Sequence, residues 1–185
     1  MKKLLIITLC TILVSCGIKK TKTEFDKITI DKELNRNLFN STEFMLNPLT
    51  LKTESGYDNV PDSTQYIIKS NAIVNSDSLR LMRFAELKRI DSDTLELKIF
   101  ETNPAYSQNL TIKIADNQFK SDFKYWMSGP PIDPKIKRVE QELIIKSIPK
   151  QKGEMIFGTF YFKGVCESDC SGEIEIKGDF KAELE

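Results

Sequence analysis

The chain of 185 residues carries 27 basic and 27 acidic side chains and no histidine. Lack of imidazole excludes Ser-His-Asp and Cys-His catalysis, the usual zinc sites and histidine-based pH sensing. So even a charge balance leaves no electrostatic footprint for nucleic acid, and about 160 residues beyond the first apolar run suffice for one domain with its own core.

At the N-terminus, Lys2 and Lys3 precede an apolar run from Leu4 to Val14, closed by Ser15 and Cys16. A run of this length falls short of the roughly 20 residues that a membrane-spanning helix needs, so it reads as the apolar part of a secretory leader. Leu13-Val14-Ser15-Cys16 resembles the lipobox of bacterial lipoproteins. The resemblance implies a signal peptide over 1–15, cleavage before Cys16, a diacylglycerol thioether on its sulfur and a further acyl group on its amine. Two or more acyl chains give stable membrane residence where one gives only marginal binding. Cleavage leaves 25 basic against 27 acidic residues and a lipidated tether over 16–24, in which Lys19-Lys20-Thr21-Lys22 is expected beside lipid head groups. The segment Gly17-Ile18-Lys19-Lys20 lacks the aspartate that retains many lipoproteins at the inner membrane and the acidic cluster that resembles a surface-export signal. By that analogy the expected position is the outer membrane, facing the periplasm. The leader and tether are also similar to those of small Bacteroidota lipoproteins.

Residues 25–185 are expected to form a single domain. Phe25–Ile30 reads as a first strand, and the turn chemistry of Asn47-Pro48, Ser55-Gly56 and Val60-Pro61-Asp62 predicts an irregular N-terminal segment covering the sheet. Gln65–Val74 reads as a strand. Leu79–Ile90 is ambiguous: residues 79, 82 and 85 suit a helix face, while 83–90 suit a strand paired through Asp91-Ser92-Asp93 with the alternating Thr94–Ile99. Leu110, Ile112 and Ile114 share one strand face, Asp116-Asn117 marks a tight turn, and Phe119, Phe123 and Tyr125 continue the alternation. Gly129-Pro130-Pro131 and Asp133-Pro134 make a stiff loop, Lys135–Arg138 a solvated strand start, and Val139–Lys146 a further strand. Met155–Val165, apolar on both faces, suits a central strand, and Ile174 to Leu184 alternate strictly with charged residues. About eight such strands predict an all-β fold, an antiparallel β-sandwich before a closed barrel.

Four groups of residues are candidate sites. Cys166 and Cys170 are the pair left once Cys10 departs and Cys16 is acylated, and in an oxidising compartment they are expected to form a disulfide. Tyr125 and Trp126 are candidate binding residues: with Phe123 and Tyr125 facing the core, Trp126 lies on the other face, where it either stacks on a sugar or anchors a protein, or is covered by the N-terminal segment as ordinary core. Asp62-Ser63-Thr64, Asp77-Ser78-Leu79 and Asp93-Thr94-Leu95 resemble an O-glycosylation motif of secreted Bacteroidota proteins, with Ser63, Ser78 and Thr94 as acceptors in expected turns. The pairs Asp91/Asp93 and Glu173/Glu175 read as turn and solvent-face residues in preference to a glycosidase pair.

No cofactor or metal is expected. The function these features suggest is a membrane-anchored, non-enzymatic binding or structural module of the cell envelope, with a protein or glycan partner. Alternatives are a carbohydrate-binding or carbohydrate-processing lipoprotein and an inhibitor or immunity lipoprotein.

Overall fold

A computed structural model describes residues 24–34, 69–75, 77–102, 106–128 and 134–185. The expected irregular segment, the lipobox and the Gly129–Asp133 loop lie outside these residues. The described residues form two sheets and no helix. In chain order the strands are β1 (Asp26–Lys27), β2 (Thr29–Ile30), β3 (Ala72–Val74), β4 (Asp77–Met82), β5 (Phe84–Arg89), β6 (Thr94–Thr102), β7 (Tyr106–Ala115), β8 (Gln118–Met127), β9 (Lys135–Ile145), β10 (Met155–Ser168) and β11 (Glu173–Glu183). Sheet A runs β1-β8-β7-β6-β5 and sheet B runs β2-β9-β10-β11-β3-β4. This is the expected β-sandwich. All pairings are antiparallel except β2 with β9, which is parallel.

Alternation decides which side of each strand is core. Leu95, Leu97 and Ile99 of β6, Leu110, Ile112 and Ile114 of β7, and Phe119 and Phe123 of β8 point inward from sheet A. Leu143 and Ile145, Ile156, Phe160 and Phe162, and Ile174, Ile176 and Phe180 meet them from sheet B. A fully buried side chain of this size contributes roughly 1.5–3 kcal/mol of transfer free energy, so this interleaved layer supplies most of the driving force. Gly158 of β10 sits directly against β9, opposite Ile145. A Cβ there would lie 2.1 Å from the Ile144 carbonyl oxygen and 2.7 Å from Ile145 Cγ2.

The strands number more than the sequence suggests because two segments change sheets. Phe25–Ile30 is not one strand. β1 pairs with β8 in sheet A, β2 pairs with β9 in sheet B, and buried Ile28 lies between them. The ambiguous 79–90 stretch likewise divides at Arg83 into β4 of sheet B and β5 of sheet A, with no helix. The β9 strand starts at Lys135, four residues earlier than its apolar content indicates, and β4 begins at Asp77, directly after a turn whose Asn75 has a φ of 52°.

Each corner is secured by polar side chains. The Arg83 guanidinium forks onto Glu101, with Nε donating to Oε2 at 2.8 Å and Nη2 to Oε1 at 2.7 Å, while the Arg83 carbonyl accepts from the backbone amides of Lys69 and Ser70. Glu101 is 2% exposed. At the opposite flank β1 covers only the first residues of β8. Past it, Gln141 of β9 takes the part of a strand: Oε1 accepts from Ser121 N at 2.8 Å and Ser121 Oγ at 2.6 Å, and Nε2 donates to the Phe119 carbonyl and to Asp26. Arg138 donates to the Ser121 and Glu24 carbonyls, and burial lowers its pKa against the raising influence of Asp26 and Asp122.

Three stability predictions follow, each read from urea unfolding midpoints. Gln141→Ala removes the buried acceptor of the Ser121 amide and hydroxyl and should cost about 2–4 kcal/mol. Glu101→Ala removes the buried carboxylate onto which the Arg83 guanidinium forks and should cost about 3 kcal/mol. Gly158→Ala forces β9 away from β10 and should cost about 2 kcal/mol or more.

Candidate functional site

The β6–β7 and β7–β8 hairpins align three strands in an unbroken register, and that register builds the surface around Trp126. The turn at Asp116-Asn117, with φ of 49° and 59°, supplies the left-handed pair that a two-residue hairpin requires. Across the outer face of sheet A, Trp126 stands opposite Ser107, which stands opposite Thr102. One pleat further along, Lys124, Asn109, Phe100 and Phe84 form the next row. Trp126 is 47% exposed. It lies on the outer side, as expected with Phe123 and Tyr125 filling the inward positions of β8, and the turn-rich N-terminal segment expected as its alternative cover lies outside the described residues.

Polar groups surround these rings. The Thr102 and Ser107 hydroxyls lie 3.1 Å apart, and the Thr111 hydroxyl donates to Asn109 Oδ1 at 3.2 Å, which leaves the Asn109 amide NH2 as a donor. Phe84 and Phe100 pack on each other with centroids 5.6 Å apart. Toward the other end of this face the charges pair off, as Lys88 with Glu86, Lys98 with Glu96, and Lys120 with Glu24. Lys124 has no ion-pair partner among the described residues, and Asp122 lies within electrostatic reach of Arg138.

Tyr125 and Trp126 do not form one site. Tyr125 faces inward, half-buried against the core, with its ring 6.2 Å from that of Phe123. It shares an inner row with Glu101 and Gln108, where Gln108 Oε1 is buried without a hydrogen-bond partner. Residues that sequence reasoning missed are Phe84, Phe100, Thr102, Ser107, Asn109 and Lys124. Registering the strands through the Asp-Asn turn would have aligned Trp126 with Ser107 and Lys124 with Asn109.

Of the O-glycosylation candidates, Ser63 lies outside the described residues. Ser78 lies within β4 and Thr94 opens β6, so neither is in the turn expected of it. The carboxylate pairs hold the chain: Asp91 Oδ1 accepts from the amides of Asp93 and Thr94, which lowers its pKa, while Glu173 and Glu175 pair with Lys163 and Lys177. A shallow depression of about 210 Å³ lies at the Asp116 end, floored by Leu95, Ile114, Ile148 and Pro149. Beside it, Arg89 is committed to the carbonyls of Ser92 and Lys150, so this end is braced.

Cys166 and Cys170 form a disulfide across the β10–β11 connection, with Cα atoms 5.6 Å apart. The Cys166 amide donates to the Gly172 carbonyl, and Asp169 and Gly172 turn the chain through positive φ. Closing a loop this short stabilises by about 2 kcal/mol on the chain-entropy account. Reduction should therefore lower unfolding stability by about that amount, and denatured, unreduced protein should titrate no thiol from this pair. No family model, curated protein or solved structure matches the chain.

Proposed function

We propose that the chain is a membrane-anchored envelope lipoprotein that works as a non-enzymatic binding module, tethered through Cys16 with its domain in the periplasm. The outer face of sheet A is its binding surface. The observation that carries this reading is the exposure of Trp126, a large amphipathic ring on a flat, register-locked sheet. An unfilled core position would not be ringed by hydroxyl and amide groups. Those groups also favour the saccharide reading over a protein partner. A protein-docking core is depleted in charge and rich in contiguous apolar area, whereas, apart from Met127 next to Trp126 on β8, the large exposed apolar residues among the described residues are Ile30, Val139, Met155 and Val165 on sheet B and Ile90 past the end of β5.

Two measurements test the proposal. The intact mass of native protein should correspond to a chain starting at Cys16 with its acyl groups, and Cys16→Ser should move the protein from the membrane to the soluble fraction. An unmodified N-terminus elsewhere would refute the anchor. Trp126→Ala should leave the unfolding midpoint within about 0.5 kcal/mol of the parent, as expected of a surface position, while losing capture of envelope components. A collapse of stability would instead mark Trp126 as structural.

A further inference from the structure

We infer that the Trp126 end of sheet A is a platform for an acidic saccharide, with Trp126 stacking on a sugar ring and Lys124 and Asn109 holding its anionic and acceptor oxygens. This rests on the binding-surface reading above and names its ligand class.

The chemistry of the face is lopsided toward donors. The Lys124 ammonium has no ion-pair partner among the described residues, and the Asn109 amide nitrogen is left over because Thr111 occupies its oxygen. Lys113, between Lys120 and Glu96, is a further exposed cation two rows along the face. The acid in the next row, Asp122, lies within electrostatic reach of Arg138 at the flank. A ligand carrying carboxylate or phosphate oxygens satisfies this set. For a cationic ligand, Glu86, Glu96 and Glu24 are already paired with lysines toward the far end of the sheet, and Asp122 already lies in the field of Arg138.

The spacing of the rings sets the ligand's size. Phe100 lies two strands from Trp126 and one pleat away along the strand. At about 4.8 Å between strands and 3.4 Å per residue the two are about 12 Å apart, a span for a short oligosaccharide and too long for a single ring. The Ser107 and Thr102 hydroxyls lie in the Trp126 row and the Asn109 amide in the Phe100 row, where they can bond ring hydroxyls.

The test uses the full lipidated chain in detergent, with tetragalacturonate as the acidic probe and the neutral galactotetraose as its control. Trp126 is the sole tryptophan, so its fluorescence reports the site directly. Tetragalacturonate should change that fluorescence saturably and weaken with added salt, whereas the neutral probe should bind at least about fivefold less tightly. By calorimetry Lys124→Gln should lose about fivefold in affinity and Trp126→Ala about thirtyfold. Lys152→Gln, on the β9–β10 connection, should change neither. Equal affinity for both probes, or no heat with either on folded protein, would overturn the inference. Running the titration also on Cys16→Ser separates the two proposals. Saccharide binding by a chain whose native form proves unacylated sinks the anchor alone, and an acylated chain that binds neither probe sinks the platform alone.

Discussion

Two sheets joined by a chain that passes between them after β8, and at Ile28 and Arg83 with only a single residue between strands, must satisfy the backbone at each such corner, and this constraint shapes the molecule. A strand that leaves one sheet abandons its neighbour's amides and carbonyls, and each group left buried and unpaired costs about 1–3 kcal/mol. Where β1 stops short on β8 the cost is avoided by Gln141, whose side-chain oxygen accepts from the Ser121 amide while its nitrogen donates to the Phe119 carbonyl. At Arg83 it is avoided from both sides, as the carbonyl takes two amides and the side chain closes on Glu101. The C-terminus completes the second flank, where Leu184 bridges to Leu87 and the Glu185 amide donates to the Leu87 carbonyl.

With its flanks closed, the domain has its outer faces and loop ends left for interaction, and the two faces differ. The outer face of sheet B pairs with itself. Lys163 holds Glu173, Lys177 holds Glu175, the Tyr161 hydroxyl reaches Glu175, Asn71 binds Asp179 and Lys146 lies over the Phe157 ring. Ion pairs raise the pKa of Lys163, and burial with nearby carboxylates raises that of Tyr161. Sheet A shows the same self-pairing at its Lys88 and Lys98 end and loses it toward Trp126. A surface whose polar groups answer one another has little to offer a ligand, because binding must first break those contacts. The Trp126 end carries no such debt.

Much of this architecture was legible in the residues. The strict alternation of Ile174 to Leu184, the Asp116-Asn117 turn and the apolar run of β10 each predict the element found. The corners were not legible, for a definite reason. Two period-two strands joined by a single corner residue place Met82 and Ala85 inward at a spacing of three, which mimics a helix face. Ile28 is one buried residue in a short polar stretch and gives no periodic signal. Lys135 does open β9, as the basic cluster suggests, but Arg138 bonds the Ser121 carbonyl, so part of a cluster that reads as solvent-facing belongs to the closure. The site was half legible. Alternation places Trp126 opposite the Phe123 face, but its ring of polar neighbours comes from β6 and β7 and exists only in the registered sheet.

The anchor and the platform constrain each other. The chain enters the fold at Glu24, held by the Lys120 ion pair and the Arg138 bond to its carbonyl, both on the flank next to β8. On the lipidated reading, only the short stretch from Cys16 to Glu24 separates lipid from fold, and at most about 28 Å of extended chain can be drawn from it. The domain therefore stays close to the bilayer, and a free, dilute sugar is a poor match for a shallow open face that gives few contacts per ring. A saccharide displayed at the same surface meets the platform at high effective concentration, so weak individual contacts suffice. The open sheet face, the exposed Trp126 ring with Phe100 beyond it, and a lysine without an ion-pair partner among the described residues are thus what the tethered reading needs to hold an anionic envelope glycan reversibly.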